Sequence, residues 1–535
     1  MTAGGKQVDE RGTGAATARG SQVTPSLLYP EHTRFVPAPL EDRGFASDLE
    51  LDQVFAGAIA GREELGLSDL FYAPLQSVDQ VAYRHEVLSD LERPEVAAAI
   101  RGFLEKMARV RDILSVARSL RTHLQTQRLF LDAVLAYCDA VSSLTASLSS
   151  LQLTSRGLRA FREHLVAYEG SPEFKALGDG ARELVRSLSQ VRYKIHIRGT
   201  RVTVSAYQDE PNYADEVEAA FAKFREEAAT DYTAKLRSPL EMNQVEARVL
   251  ELVARLYPAP FTSLAEYFGA HQEFMEPAIV DFERAAQFYL AYLDHIAPLR
   301  ERGLQFCYPR VSLSPEPVRA EGVFDLALAG KLAREDGSGP SAVVPNDLEL
   351  GPGQRVVVVT GPNSGGKTTF CRAVGQLHYL ASLGLPVPAR RAEVVLADGV
   401  LTSFVQAEAL EAARSHLEDE LIHLHEVMGR ATPRSVVIMN ESFSSTTLAD
   451  AAVLGKAVLS QLVEQGVLCV FATFIEELAF ANEAVVSMGA IVDPEDPARR
   501  TYRFVRKEPE GRAYAALLAE RYGLTFHAVT ERVGQ

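Results

Sequence analysis

The sequence predicts two folds in one chain: a region of long helices interrupted by a small β-hairpin, followed by an α/β domain with a mainly parallel sheet. Apolar residues recur at three- and four-residue spacing from about residue 46 to residue 304. Within that region, residues 193–207 alternate on both sides of Gly199, which is typical of a hairpin. From Tyr308 onward, short apolar runs alternate with helical patterns, as they do in βαβ units.

Length and composition exclude several classes of protein. A chain of 535 residues, 47% hydrophobic and 24% charged, has the composition of a globular protein with more than one domain. We predict a flexible N-terminal tail at 1–45, a helical region at 46–307 and the α/β domain at 308–535. The sequence has no run of about 18 apolar residues, so no membrane contact is expected. Its four scattered cysteines are typical of a reduced, cytoplasmic protein.

The helical region is predicted to form long arms that carry local positive charge. Helices of the predicted length favour arms or levers over a compact bundle. Because the formal net charge is −16, any nucleic-acid contact requires a local basic patch. Basic residues cluster at 106–128 and 182–201, where they are either phosphate contacts or a solvated helix face. The candidate DNA contacts are Arg192, Lys194, Arg198 and Arg201. The predicted helices are 48–62, 78–91, 101–140, 158–188, 215–236, 239–256 and 274–299.

Residues 355–370 contain the motif around which the α/β domain is organised. Four valines and Thr360 predict a buried strand, and a helical pattern follows. Between them, residues 361–368 read GPNSGGKT, which matches G-x-x-x-x-G-K-[ST] in a strand–turn–helix context. Such a loop binds nucleotide phosphates through backbone N–H groups, while its lysine reaches the β- and γ-phosphates and its hydroxyl ligates Mg²⁺. We therefore expect ATP and Mg²⁺, bound by Gly361, Pro362, Asn363, Ser364, Gly365, Gly366, Lys367, Thr368 and Thr369.

A second buried strand ends in two polar residues. Residues 435–441 read SVVIMNE, so Asn440 and Glu441 follow directly from the strand. Nucleotide hydrolases normally hold an acid for Mg²⁺ at the first position and a base for the attacking water at the second. Glu441 and Lys367 are therefore the candidate catalytic residues, and Thr368 and Asn440 the candidate Mg²⁺ ligands, Asn440 through a water. Because Asn440 has no charge, we expect slow hydrolysis.

These residues, with several other segments in the same order, resemble the MutS family of DNA mismatch-repair ATPases, a branch of the ABC-type ATPases. TGPNSGGKTT at 360–369 is similar to the family's TGPNxGGKST, and its Pro-Asn pair is more specific than the general motif. The resemblance covers about residues 46–535. The other similar segments are YRHEVL at 83–88, VPND at 344–347, LGLPVPA at 383–389, ARS at 413–415, IMNE at 438–441, FAT at 471–473, GRAY at 511–514 and YGL at 522–524.

The resemblance implies a P-loop ABC-type ATPase domain after a lever and clamp region, working as a homodimer. Ser415 would then reach the γ-phosphate held by the partner subunit. The chain departs from the family at Asn440, at Phe474, where the family has histidine, and at residues 444–445, where Ser-Ser replaces Arg-Gly. Because the resemblance begins near residue 46, we expect the mismatch-recognition domain to be absent.

Three functions are compatible with the sequence. The first is an ATP-gated dimeric DNA clamp that recognises DNA shape in mismatch repair or recombination, located in the cytoplasm or at the nucleoid. The second is a nucleotide-gated protein scaffold without direct DNA binding, which the acidic net charge favours. The third is a descendant without ATPase activity, which Asn440 favours.

Overall fold

The computed structural model describes residues 25–30, 38–208, 242–314, 317–335, 343–362, 364–404, 416–492 and 500–508. It is helical up to residue 301, apart from one hairpin, and mixes helices with sheets from residue 310. The helices are α1 (Gly44–Asp48), α2 (Leu51–Ile59), α3 (Ser68–Phe71), α4 (Val78–Leu91), α5 (Pro94–Ser119), α6 (His123–Ser150), α7 (Arg156–Gly170), α8 (Pro172–Ser189), α9 (Gln244–Leu256), α10 (Pro258–Ala270), α11 (Pro277–Glu301), α12 (Leu326–Arg334), α13 (Lys367–Ser382), α14 (His416–Arg430) and α15 (Leu448–Glu464). The strands are β1 (Tyr193–Arg198), β2 (Arg201–Ala206), β3 (Arg310–Ser312), β4 (Val318–Val323), β5 (Asn346–Leu350), β6 (Val356–Thr360), β7 (Arg391–Val395), β8 (Val400–Phe404), β9 (Val436–Asn440), β10 (Leu468–Ala472), β11 (Val485–Val492) and β12 (Arg500–Arg506).

Two predicted helices are each divided in the structure. The segment 101–140 is divided between α5 and α6, which have 26 and 28 residues, because the backbone is extended at Leu120 and Thr122. At about 1.5 Å per residue these helices are roughly 40 Å long. The segment 158–188 is divided at Ser171, whose hydroxyl accepts a hydrogen bond from the backbone N–H of Phe174. Pro172 then occupies the first position of α8, where proline is favoured. The predicted helix 215–236 lies outside the described residues.

Helix α6 is the one helix in the described part of the chain whose length and apolar composition alone would allow it to cross a membrane. Its most apolar stretch is 56% buried inside the protein. Buried core helices meet the same criteria, and α6 packs against α5, α7 and α8. Tyr137 and Val141 of this helix are fully buried.

The hydrophobic core runs without a break from the helical region into the α/β region. Arg84 of α4 is fully buried and donates a hydrogen bond to the carbonyl oxygen of Leu383 at 2.7 Å. Leu27 and Phe45 belong to the same core. Within the segment predicted to be a flexible tail, Leu27 accepts a hydrogen bond from Tyr289 and the Phe45 ring contacts that of Tyr379, so these two residues pack against helices that follow much later in the chain.

A six-stranded sheet forms the centre of the α/β region. Its strand order is β12-β11-β6-β10-β9-β8, and all neighbours are parallel except the β11–β12 pair. Alternate residues of β6 point to opposite faces: Val357 and Val359 face the core shared with α13, whereas Val356 and Val358 face a second core shared with α14 and α15. Both faces of the sheet are thus covered by helices, as expected for parallel strands.

A smaller sheet lies beside the first, with strand order β3-β7-β4-β5. Its β3–β7 pair is parallel and the other two pairs are antiparallel. The predicted hairpin has the expected position, since β1 and β2 pair antiparallel with Arg198 opposite Arg201. Gly199 in its turn has a φ of 56°, a left-handed conformation that glycine adopts at little cost.

Candidate functional site

The glycine-rich loop, residues 361–366, connects the carboxyl end of β6 to the first turn of α13. Gly361 and Gly366 have φ values of 152° and 95°. A Cβ at Gly361 would lie 2.8 Å from the Cβ of Ala490, and one at Gly365 would lie 2.8 Å from the carbonyl oxygen of Pro362. These three glycines therefore permit a backbone path that larger residues would block. Asn363 lies outside the described residues.

Lys367 is the first residue of α13, and the loop folds back around its side chain. The side chain is 3% exposed. Its Nζ donates hydrogen bonds to the carbonyl oxygens of Gly361 at 3.1 Å and Pro362 at 3.4 Å, and it lies 3.7 Å from Oε1 of Glu441. Burial lowers the pKa of Lys367, while the nearby Glu441 carboxylate opposes that shift. The ammonium group is thus held at the mouth of the loop by carbonyl groups and one carboxylate.

Thr368 and Asn440 bring α13 and β9 together beside this lysine. The Thr368 hydroxyl donates a hydrogen bond to Oδ1 of Asn440 at 3.0 Å. Asn440 is buried at the last position of β9. The site thus lies at the carboxyl ends of β6 and β9, where ligands commonly bind in parallel α/β sheets.

Glu441 leaves the sheet in an unusual backbone conformation. Its φ is 54°, and its backbone N–H donates to the carbonyl oxygen of Ala472 at 2.8 Å. Its side chain is 41% exposed, unlike that of Lys367. The carboxylate is therefore accessible to solvent on one side and close to the buried lysine on the other. Phe474, two residues after Ala472, is also 41% exposed.

A cavity of about 320 Å³ adjoins the glycine-rich loop. The sequence interpretation missed most of its walls. Asn346 of β5 donates through Nδ2 to the carbonyl oxygen of Tyr502 at 3.1 Å and accepts from the backbone N–H of Phe504 at 2.8 Å. This bridge joins β5 to β12 and places the Tyr502 ring near Gly366. The alternation of large apolar residues in TYRFVR at 501–506 was the available signal for this strand. Residues that line the cavity include Phe324, Val344, Asn346, Gly366, Thr369, Phe370 and Tyr502.

The predicted DNA contacts lie on the hairpin, in a sheet separate from the glycine-rich loop. Arg192, Arg198 and Arg201 are exposed, and none has an acidic partner among the residues that the structure describes. Lys194 of β1 is partly buried.

Several cations of the neighbouring basic stretches have acidic partners instead. Arg182 pairs with Asp179 at 2.7 Å, and Lys106 with Asp139 at 2.8 Å. Their charges are therefore partly neutralised within the protein. Cations without an acidic partner among the described residues are found on the hairpin and also on α5, at Arg109 and Arg118.

Among the described residues, no group of three His, Cys, Asp or Glu side chains is arranged to hold a metal ion. The structure brings together Lys367, Thr368, Asn440 and Glu441. Ser415, the residue predicted to act on the partner subunit, lies outside the described ranges.

Comparison with known proteins identifies relatives of this part of the chain. The family described as MutS domain V matches residues 357–526. The endonuclease MutS2 of Gemmatimonas aurantiaca is 34% identical over 184 residues, which cover 34% of this chain and 22% of that protein. The DNA mismatch repair protein MutS of Thermus thermophilus is 33% identical over 185 residues, 34% of this chain and 23% of that protein. The endonuclease MutS2 of Brevibacillus brevis is 28% identical over 190 residues, 35% of this chain and 24% of that protein. The chain thus spans less than a quarter of the length of these relatives.

Proposed function

We propose that this chain, which belongs to the MutS family through the domain at residues 357–526, binds ATP at its glycine-rich loop and uses it to control contact with DNA. The observation that carries the proposal is the convergence of Lys367, Thr368, Asn440 and Glu441 at one edge of the parallel sheet. The curated relatives are named as mismatch-repair and endonuclease proteins, which supports a role in handling DNA.

The geometry supports a nucleoside triphosphate as the ligand. Lys367 is the first residue of a helix of 16 residues, so the backbone N–H groups of that helix N-terminus lie beside its ammonium group. Phosphate oxygens would replace the carbonyl oxygens of Gly361 and Pro362 as partners of Nζ. The adjoining cavity presents the aromatic rings of Phe370 and Tyr502, so a purine base would find apolar walls there.

Mg²⁺ fits the donor set beside the lysine. The Thr368 hydroxyl and the Asn440 amide oxygen lie 3.0 Å apart, and oxygen atoms are the ligands that Mg²⁺ prefers. Thr368 would bind the ion directly and Asn440 through a water. Bound Mg²⁺ supplies positive charge next to the β- and γ-phosphates. Both protein ligands are neutral, so the ion is held less tightly than it would be with a carboxylate at position 440.

Glu441 is the candidate base for ATP hydrolysis. Its carboxylate is partly exposed, so a water molecule can approach it, and its Oε1 lies 3.7 Å from Nζ of Lys367. The turnover is expected to be slow because Asn440 contributes no charge.

ATP would also join two subunits. Leu448, Val453 and Phe474 are exposed apolar residues on segments that follow the same edge of the sheet. Such residues favour a subunit interface there. In the dimer, Ser415 of the partner subunit would contact the nucleotide, and DNA would lie along the hairpin, held by Arg192, Lys194, Arg198 and Arg201.

The first experiment measures ATP affinity by isothermal titration calorimetry. Replacing Lys367 with alanine should weaken ATP binding at least about 30-fold, since a hydrogen bond to a charged group contributes about 2 kcal/mol or more. The matched control is Lys456→Ala, which removes a half-exposed lysine paired with Glu477. Equal ATP affinity in both variants would contradict binding at this loop.

The second experiment separates DNA binding from the scaffold alternative, which the net charge of −16 favours. Mobility shifts with duplex and branched DNA are measured over a range of salt concentrations. Alanine at all four hairpin cations should weaken binding and reduce the salt slope by up to about 0.9 per lost phosphate contact. The control variant replaces Arg182 and Arg186, whose charges already pair with acids on their own helix. If the native protein binds no DNA with or without ATP, the DNA-binding function is excluded.

The third experiment tests the role of position 440. Asn440→Asp should raise the steady-state ATPase rate at saturating Mg²⁺ and lower the Mg²⁺ concentration needed for half-maximal rate. Glu441→Ala should abolish turnover in both backgrounds while ATP still binds. Rapid turnover in the native protein, unchanged by Asn440→Asp, would contradict this assignment.

A further inference from the structure

The loop that follows β9 contains two strained residues in close succession. Glu441 has a φ of 54° and Phe443 a φ of 68°, and neither is glycine. Each left-handed residue of this kind costs about 1 kcal/mol or more, so the conformation persists only if the surroundings hold it. The side chain between them is fully buried, since Ser442 is 0% exposed. The position of the Glu441 carboxylate therefore depends on the contacts that fix this loop.

Two backbone hydrogen bonds hold the loop, one on each side of Ser442. On the first side, the Glu441 N–H donates to Ala472 of β10 at 2.8 Å. On the second, the Phe443 N–H donates to Oε1 of Glu420 at 2.6 Å. The Phe443 ring is fully buried in the core shared with α14 and α15. The loop is thus fixed by a neighbouring strand and by a side chain from α14.

Glu420 forms a second contact with the same loop, because its carboxylate also accepts a hydrogen bond from the Ser445 side chain. The carboxyl group is about half buried. Burial raises its pKa, and the hydrogen bonds from Phe443 and Ser445 oppose that shift by favouring the charged form. Hydrogen bonds to a carboxylate are about twice as strong as neutral ones. Ser445 belongs to the Ser-Ser pair at 444–445, one of the places where this chain departs from the family resemblance, so the second contact is a feature of this sequence.

We propose that Glu420 is a positioning residue that holds residues 441–445 in their strained conformation and thereby keeps the Glu441 carboxylate beside Lys367. The inference rests on the proposed ATPase function, in which Glu441 is the base. Glu420 itself touches neither Lys367 nor Thr368 in the described contacts; it acts through the backbone of Phe443. Because it lies on α14, a displacement of that helix would release the loop.

Three variants test the proposal. Glu420→Ala removes the acceptor, Glu420→Gln keeps an oxygen that can accept from Phe443, and Ser445→Ala removes only the second contact. The control is Glu426→Ala, an exposed acid on the same helix. Each variant is measured for steady-state ATPase, for ATP affinity, and for hydrogen–deuterium exchange of peptides that cover residues 439–446.

Glu420→Ala should lower kcat on the order of tenfold, since a positioned base contributes about 10²–10⁴-fold and part of that is lost when its loop relaxes. ATP affinity should change less than about twofold, because the glycine-rich loop is intact. Exchange in 439–446 should become faster. Glu420→Gln should restore most of the rate and the slow exchange, Ser445→Ala should show a smaller loss, and Glu426→Ala should match the native protein.

Native kcat and native exchange in Glu420→Ala would overturn the proposal, as would equal losses in the alanine and glutamine variants. If the native protein binds no ATP, the proposed function fails, but exchange in 439–446 still decides whether Glu420 holds the loop. If it binds ATP without turnover, exchange decides in the same way.

Discussion

Asp325→Ala is expected to destabilise the protein by about 3–5 kcal/mol, because the Asp325 carboxylate is buried where α12 meets α13. Its side chain is fully buried at the N-cap of α12. Oδ2 accepts a hydrogen bond from Nε of Arg372 at 3.0 Å, and Oδ1 accepts from Nε2 of Gln376 at 2.9 Å. Oδ1 also accepts from the backbone N–H of Leu328 at 3.1 Å. Arg372 and Gln376 belong to α13, so the carboxylate ties α12 to the helix that follows the glycine-rich loop.

The magnitude follows from these contacts. Loss of an N-cap costs about 1 kcal/mol, and removing one partner of a buried ion pair costs about 3–5 kcal/mol. The two terms overlap, since Arg372 keeps Glu50 as a second acidic partner and Gln376 keeps the carbonyl oxygen of Leu49. Asp325→Asn preserves the cap and the shape but removes the charge, so its cost should be smaller, about 1–3 kcal/mol.

Urea unfolding monitored by far-ultraviolet circular dichroism and by tyrosine fluorescence measures this change, because the chain has 18 tyrosines and no tryptophan. The control is Glu349→Ala, which removes an exposed acid paired with the exposed Arg319 and should cost less than about 1 kcal/mol. If Asp325→Ala unfolds within about 1 kcal/mol of that control, the network does not stabilise the fold as argued.

Three further changes have definite expected outcomes. Burial lowers the pKa of His85 and of His378 to about 4, so the unfolded chain binds protons first as the pH drops. Between pH 6.5 and pH 4 the free energy of unfolding should fall by up to about 3 kcal/mol for each histidine, and the urea midpoint should fall with it; His378→Phe should reduce that dependence. Burial raises the pKa of Asp48, so its ionisation reduces stability as the pH rises through the folded-state pKa; Asp48→Asn should raise the urea midpoint at pH 7 and leave it unchanged at pH 3. Gly361→Ala would place a Cβ 2.8 Å from a neighbouring one and should weaken ATP binding about tenfold or more in calorimetry, whereas Gly429→Ala, which has open space, should not.

The positions of the candidate site residues, although far apart in the chain, could be predicted from sequence because each follows a strong local signal. Lys367 and Thr368 are part of a motif, and Asn440 and Glu441 follow directly from a run of apolar residues. Parallel strands align their carboxyl ends, so two such signals converge without further information. The resemblance to the MutS family is confirmed over residues 357–526.

Other features could not be predicted because their signals are short or lie far apart. Strand β3 has only three residues, and the hydrogen bonds that join Asn346 of β5 to β12 span more than 150 positions. The break between α5 and α6 has no proline or glycine, so apolar periodicity continues through it. The break at Ser171 did carry a cap and a proline. Burial of Leu27 depends on helices more than 200 residues away, which periodicity within its own segment does not reveal.

The hydrogen bond from buried Arg84 to Leu383 also determines how late in synthesis the core can be completed. Its two ends are separated by 299 positions, and the shared core joins segments just as distant. At about 5–20 residues per second, a ribosome needs roughly 15–60 s to make the second partner after the first. During that interval the helices made first expose apolar surface that only the later α/β region covers. The nascent chain is therefore expected to need a chaperone, and the isolated N-terminal half to aggregate when it is expressed alone.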